Sequence, residues 1–147
     1  MPELKNILLV EDDPFDVELI ITSLAESGIT NQVDVLRDGD EVLDYLHCRG
    51  EFADRVDCVP AIVLLDLKLP KVGGLEVLKL IRADKMFNRL PVVILTSSGE
   101  EQDIIAGYEL GTNAYVVKPV NYLAFVAAIK ELGSFWAILN EPPRIRR

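Results

Sequence analysis

Histidine is almost missing from this chain: His47 is the only one in 147 residues. A zinc centre or a serine-type triad would have to use it, and nothing near it supports either. It reads as a solvated or partly packed side chain near the end of a helix. Cysteine is scarce too. Cys48 and Cys58 stand ten positions apart and match no metal or redox spacing, so they read as two reduced thiols of a cytoplasmic protein. No apolar run approaches the roughly 18 residues that a membrane span needs. The polar Met1-Pro2-Glu3-Leu4-Lys5 start is no secretory signal. Bases are outnumbered, 15 against 24 acids, for a formal net charge of -9. Such a surface repels nucleic-acid phosphates. The Arg144, Arg146 and Arg147 tail reads as a solvated end, so no DNA partner is expected. Repeats, low-complexity tracts and linkers are lacking.

What is present is aliphatic. Half of the residues are apolar, enough for one domain with a good core. The apolar residues fall into short runs: Asn6 to Val10, Gln32 to Leu36, Ala61 to Leu65, Val92 to Leu95 and Ala114 to Val117. Runs of this length read as buried parallel strands. The second alternates Val33 and Val35 with Gln32 and Asp34, which suits a sheet edge. Helix-like stretches separate the runs. Asp13-Pro14 looks like an N-cap with proline at the first helical position, ahead of a face made by Phe15, Leu19, Ile20 and Leu24. Val42, Leu43 and Leu46 mark a second helix, Val77, Leu78 and Ile81 a third, and Ile104, Ile105 and Leu110 a fourth that Gly111 caps. A fifth starts near Asn121. The expected fold is α/β, a flavodoxin-like (βα)5 doubly wound five-stranded parallel sheet with strand order 2-1-3-4-5.

Chemistry collects at the ends of those runs. Glu11 and Asp12 follow the first, Asp66 the third, Thr96 the fourth, and Lys118 the fifth, where it precedes Pro119. Open parallel sheets bind ligands at the carboxyl edge of their strands. The predicted order sets strand 1 beside strand 3, so Glu11, Asp12 and Asp66 share a crevice. Two like charges about 4 Å apart repel by roughly 4 kcal/mol at an effective dielectric near 20. Lys118 and a divalent cation are the natural compensation. Oxygen-only ligands suit Mg2+. A carboxylate can also attack phosphorus to give an aspartyl phosphate, and Asp66 is the candidate. Each element alone has a bland explanation, as a helix cap or a turn. Their joint placement at strand ends is harder to dismiss.

The same residues resemble the receiver domain of two-component response regulators. The resemblance rests on Leu9-Val10-Glu11-Asp12-Asp13, on Asp66 with Leu69-Pro70 and Gly74 beyond it, on Thr96-Ser97, and on Lys118-Pro119. It covers about residues 5 to 132. It implies that a histidine kinase donates a phosphoryl group to Asp66. Asp12 and Asp66 would bind Mg2+ directly, with the Lys68 backbone carbonyl as third ligand and Glu11 acting through water. Thr96 and Tyr115 would be switch positions that remodel the face of helix 4, strand 5 and helix 5. The long segment from Asp38 to Asp66 and the run Ser134 to Leu139 are similar to single-domain regulators that partner phytochrome-type histidine kinases. Departures are Gly73 before Gly74, where Asp-Gly is common, and Lys68 two residues past the acceptor; both bear on the lifetime of the phosphoryl group.

Phe125, Ile129, Leu132, Trp136 and Leu139 recur at alternating spacings of four and three. For Phe125 and Ile129 a core stripe is the better reading. Beyond Leu132 the helix should outrun the domain, leaving an apolar patch with a tryptophan anchor. The expected organisation is a receiver domain over 1–133 and a helical extension and tail over 134–147, with a homodimer through the fifth helix and its extension. The expected activity is that of a phosphoacceptor signalling protein, with at most self-phosphorylation and self-dephosphorylation. Rival readings are a dimeric adaptor indifferent to phosphate, a pseudo-receiver, and an aspartate-nucleophile phosphatase. The last usually needs a second acid where Lys68 stands.

Overall fold

The computed structural model describes residues 5–55, 59–118, 122–132 and 135. Five parallel strands form one sheet in the order β2-β1-β3-β4-β5: β1 Ile7–Val10, β2 Val33–Leu36, β3 Ile62–Leu65, β4 Val92–Thr96 and β5 Ala114–Val117. The helices are α1 Pro14–Glu26, α2 Val42–Leu46, α3 Gly74–Ala83, α4 Glu101–Glu109 and α5 Tyr122–Leu132. Short 3-10 turns at Gly39–Glu41 and Gly50–Phe52 flank α2. No helix among the described residues is long and apolar enough to cross a membrane.

Strand residues are buried on both faces because helices cover both, and alternate positions supply the two halves of the core. Ile7, Leu9, Ile62, Leu64, Val93 and Leu95 pack with Val17, Ile20 and Leu24 of α1 and with Phe125 and Ile129 of α5. Leu8, Val10, Val63, Leu65, Val92 and Ile94 face the other way, onto Val42, Tyr45 and Leu46 of α2 and Val77, Leu78 and Ile81 of α3. Phe125 and Ile129 are thus core residues, as their spacing implied. Strand β2 lies at the edge, and its first three residues are only half-buried.

Local signals at α1 hold: the Asp13 carboxylate accepts a hydrogen bond from the Phe15 amide at 2.9 Å, and Pro14 opens the helix. Two expected faces need correction. Phe15 is 73% exposed, and α1 buries Val17 instead. At the first turn of the helix its side chain points off the sheet. In α4, Ile105 is exposed and the one buried residue is Gly107. The helix approaches the sheet so closely there that glycine, not isoleucine, makes the contact. Gly111, at φ 92°, follows the end of α4 in the left-handed conformation that glycine adopts freely. His47 caps α2; its Nε2 meets Asp84 at 2.6 Å and its ring packs edge-on against Phe87. Cys48 is half-buried. Cys58, Pro119, Trp136, Ile138 and Leu139 lie outside the described residues.

Candidate functional site

Strand register brings the end residues together. Val10 pairs with Leu65, and the Asp66 amide donates to the Val10 carbonyl at 3.0 Å, so Glu11 and Asp66 leave adjacent strands at one level. Thr96 pairs with Val117, and the Lys118 amide donates to the Thr96 carbonyl at 2.7 Å. Glu11, Asp12 and Asp66 each offer a carboxylate oxygen, all within 4.8 Å of one another. Asp12 is exposed at the rim, whereas Glu11 is 1% and Asp66 8% exposed. Gly74 makes the close turn after Asp66 possible. A Cβ there would lie 2.2 Å from the Asp66 carbonyl oxygen.

Lys118 closes the pocket. Its ammonium donates to Glu11, to Asp16 at 2.8 Å and, at longer range, to Asp66 at 3.4 Å. Burial disfavours its charge, but the bonds to Asp16 and Glu11 and the Asp66 carboxylate outweigh that, and its pKa is raised. Glu11 is instead driven toward its neutral form. Burial, first, and a proton shared with Asp66, second, push its carboxyl up from 4.5 to about 8, against the pull of Lys118. Asp66 is the charged member of the pair. Burial alone would raise it, but the hydrogen bond from Glu11, the Lys118 charge, the Thr96 hydroxyl and the Lys68 amide hold it below its usual value. The Leu67 amide also donates to Asp66 Oδ1, at 2.7 Å.

Thr96 is fully buried beside this pair. Tyr115 stands one link away: its hydroxyl donates to the Ser98 carbonyl at 2.8 Å, and the Ser98 hydroxyl donates to Asp103 in the first turn of α4 at 2.6 Å. The Ser98 amide points back at the Thr96 hydroxyl, at 3.4 Å. Lys68 keeps its side chain in solvent and lends its amide to Asp66 Oδ1 at 3.5 Å. Every sequence-predicted site residue therefore lies in or next to one pocket. Asp16 and Ser98 were not foreseen. Asp16 carries one available signal, being an acid in the first turn of the helix that follows Glu11 and Asp12.

The donor set fits a hard divalent cation. All its oxygens come from carboxylates, and no histidine or cysteine is among them. Glu11 Oε2 is also buried with no ordinary hydrogen-bond partner among the described residues. Such an atom is costly unless a proton or a cation compensates it.

A doubly wound parallel sheet with an acidic, lysine-closed pocket at its carboxyl edge is the architecture of a receiver domain. Residues 7–130 match the model of the response regulator receiver domain, and the chain belongs to that family. It is similar to the response regulator Rcp1 of Synechocystis sp., at 40% identity over 90% of this chain and 88% of that protein. A solved Mn(2+)-bound form of Rcp1 superposes with a TM-score of 0.87 at 38% identity, over 95% of this chain and 99% of that one. The phosphorylated cyanobacterial phytochrome response regulator RcpA gives a TM-score of 0.89 at 39% identity, covering 97% of this chain and 100% of that one. The bacteriophytochrome response regulator RtBRR is 57% identical, with a TM-score of 0.77, over 96% of this chain and 85% of that one.

Proposed function

We propose that this chain is a stand-alone response regulator whose Asp66 accepts a phosphoryl group from a sensor histidine kinase of phytochrome type, in a Mg2+-dependent reaction. The observation that carries the reading is the convergence of the Lys118 ammonium on Asp66 beside two further acids at the carboxyl edge. The kinase type is supported by RcpA and RtBRR, whose names tie them to phytochromes, and the cation by the Mn(2+)-bound form of Rcp1. A receiver over 1–133 fits the matched segment. The 134–147 extension supplies a homodimer contact with the fifth helix, a reading favoured by Leu123 at 75% and Phe135 at 49% exposed.

Asp12, Asp66 and the Lys68 backbone carbonyl would hold the ion, with Glu11 acting through water. When bound, Mg2+ supplies charge neutralisation for the phosphoryl oxygens. Asp66, already the charged carboxylate of the pair, attacks phosphorus with one oxygen. A P–O bond forms, the P–N bond to the donor imidazole breaks, and that nitrogen keeps the electron pair. Lys118 sits where it can pair with a phosphoryl oxygen, and the Thr96 hydroxyl can bond another. A Thr96 hydroxyl drawn to the new group would release the Ser98 amide, and Ser98 also holds Tyr115 and Asp103. That chain gives the switch a route to α4 and β5, the interaction face. The output is contact with another protein rather than turnover of a substrate.

Incubation with Mg2+ and acetyl phosphate, read by intact mass, tests the reading. One added phosphoryl group, absent in Asp66→Asn and absent in EDTA, is expected. No adduct at any Mg2+ concentration would favour an adaptor or pseudo-receiver, and sustained hydrolysis of simple phosphate esters a phosphatase.

A further inference from the structure

An ammonium has three protons to donate, and Lys118 places them among Glu11, Asp16 and Asp66. Glu11 and Asp66 belong to the group that can hold a divalent cation; Asp16 does not. Its carboxylate is nevertheless nearer to the ammonium than Asp66 is, 2.8 Å against 3.4 Å. It is also anchored. Asp16 is the third residue of α1, whose Val17, Ile20 and Leu24 are buried against the sheet. Lysine, by contrast, ends a flexible four-carbon stem and turns readily unless something holds it.

A cation arriving beside Asp66 draws on the Glu11 and Asp66 oxygens and repels the ammonium. Of the three acceptors, only Asp16 then remains wholly available to Lys118. The geometry points to Asp16 as a positioning residue: it tethers Lys118 at the pocket wall, so that a cation can take Asp66 directly and Glu11 through water while the ammonium stays beside the carboxylate that receives the phosphoryl group. The inference rests on the reading of Asp66 and its cation given above. Asp16 itself touches neither the phosphoryl group nor the ion.

A point charge and a tether predict different things. If Asp16 merely adds negative potential, its effect on cation binding is independent of Lys118. If it restrains Lys118, the effect depends on the lysine being there. The test is a double-mutant cycle on the full chain, with Mg2+ titrated calorimetrically into wild type, Asp16→Asn, Lys118→Ala and the double variant. Asp16→Asn is expected to weaken Mg2+ binding about tenfold more in the wild-type background than in Lys118→Ala, the size of one charge-assisted hydrogen bond. Nitrogen NMR of the Lys118 ammonium gives a second readout. Its slowly exchanging signal should persist in Mg2+-saturated wild type and vanish in Asp16→Asn. Equal shifts in both backgrounds, or no shift, would overturn the role. So would a lower melting temperature with Mg2+ affinity intact, which marks a merely structural Asp16. Adduct formation on wild type probes Asp66 separately, so equal shifts in a protein that still phosphorylates count against Asp16 alone.

Discussion

A carboxyl sealed beside another carboxylate cannot keep both charges, and Glu11 carries the consequence. Its pKa of about 8, set by burial and then by the proton it shares with Asp66, lies well above the usual 4.5. Between those two values the native chain holds a proton that the unfolded chain has released. Unfolding therefore releases a proton, and this group makes the metal-free protein less stable as pH rises from about 4.5 to 8. Asp66 works in a different window: held below its usual 3.8, it contributes stability above that value and loses it as pH falls through the folded pKa. Urea unfolding in EDTA at several pH values from 5 to 9 should show the Glu11 slope, on the order of 1 kcal/mol per pH unit. Glu11→Gln should remove it. A wild-type slope matching that of the variant would show that Glu11 titrates normally. The acids of this pocket were legible as strand-end residues, but which of them is neutral was not. That depends on packing across β1 and β3, residues 55 positions apart in the chain.

At the scale of elements, the helix α4 shows where periodicity stops being informative. Strands announced themselves as continuous aliphatic runs because helices bury both of their faces. The strand order was that of the flavodoxin-like fold, which suits the polar second strand at the edge, where β2 lies. Amphipathic spacing placed Val77, Leu78 and Ile81 of α3 correctly, all of them buried. In α4 it pointed to Ile105, which is 50% exposed, because glycine contributes nothing to a hydrophobic pattern. Yet Gly107 is where α4 meets the sheet: a Cβ there would lie 2.9 Å from Ile94 Cδ1 and 3.2 Å from Tyr115 Cδ2. An alanine ordinarily favours a helix interior by about 1 kcal/mol over glycine. Here the added methyl meets the fully buried Ile94, and overpacking costs about 1–3 kcal/mol. Gly107→Ala should therefore melt no higher than wild type. It should also tilt the Tyr115 ring away from the Ser98 carbonyl, visible in the tyrosine ring signals by NMR. A raised melting temperature with unmoved ring signals would mean that α4 has slack. Asp16 is hidden in the sequence for a related reason: an acid in a helix's first turn already has an explanation in the helix dipole. Its partner Lys118 lies 102 residues further along.

On the scale of the whole molecule, the question is how a domain this small passes on its state. Apolar spacing along the fifth helix reads as one stripe in the sequence, but the structure divides it. Phe125 and Ile129 are 4% and 0% exposed, already committed to the core shared with α1, and cannot also serve a partner. What α5 leaves outward is Leu123, with Phe135 beyond its end. Two such side chains bury on the order of 400 Å² at most. A stable interface takes about 800 Å² from each partner. A dimer through the fifth helix needs further area, and the proposed source is the extension that carries Trp136, Ile138 and Leu139, residues outside those described. Removing it should therefore do more than weaken the contact. A chain truncated after Gly133 is expected to sediment as a monomer at concentrations where the full chain is a dimer. Its Mg2+-dependent labelling by acetyl phosphate should survive, since the pocket is built from α1 and the ends of β1, β3, β4 and β5. Equal masses for the two proteins would remove the extension from the interface. Loss of labelling together with loss of mass would mean that the extension supports the domain itself.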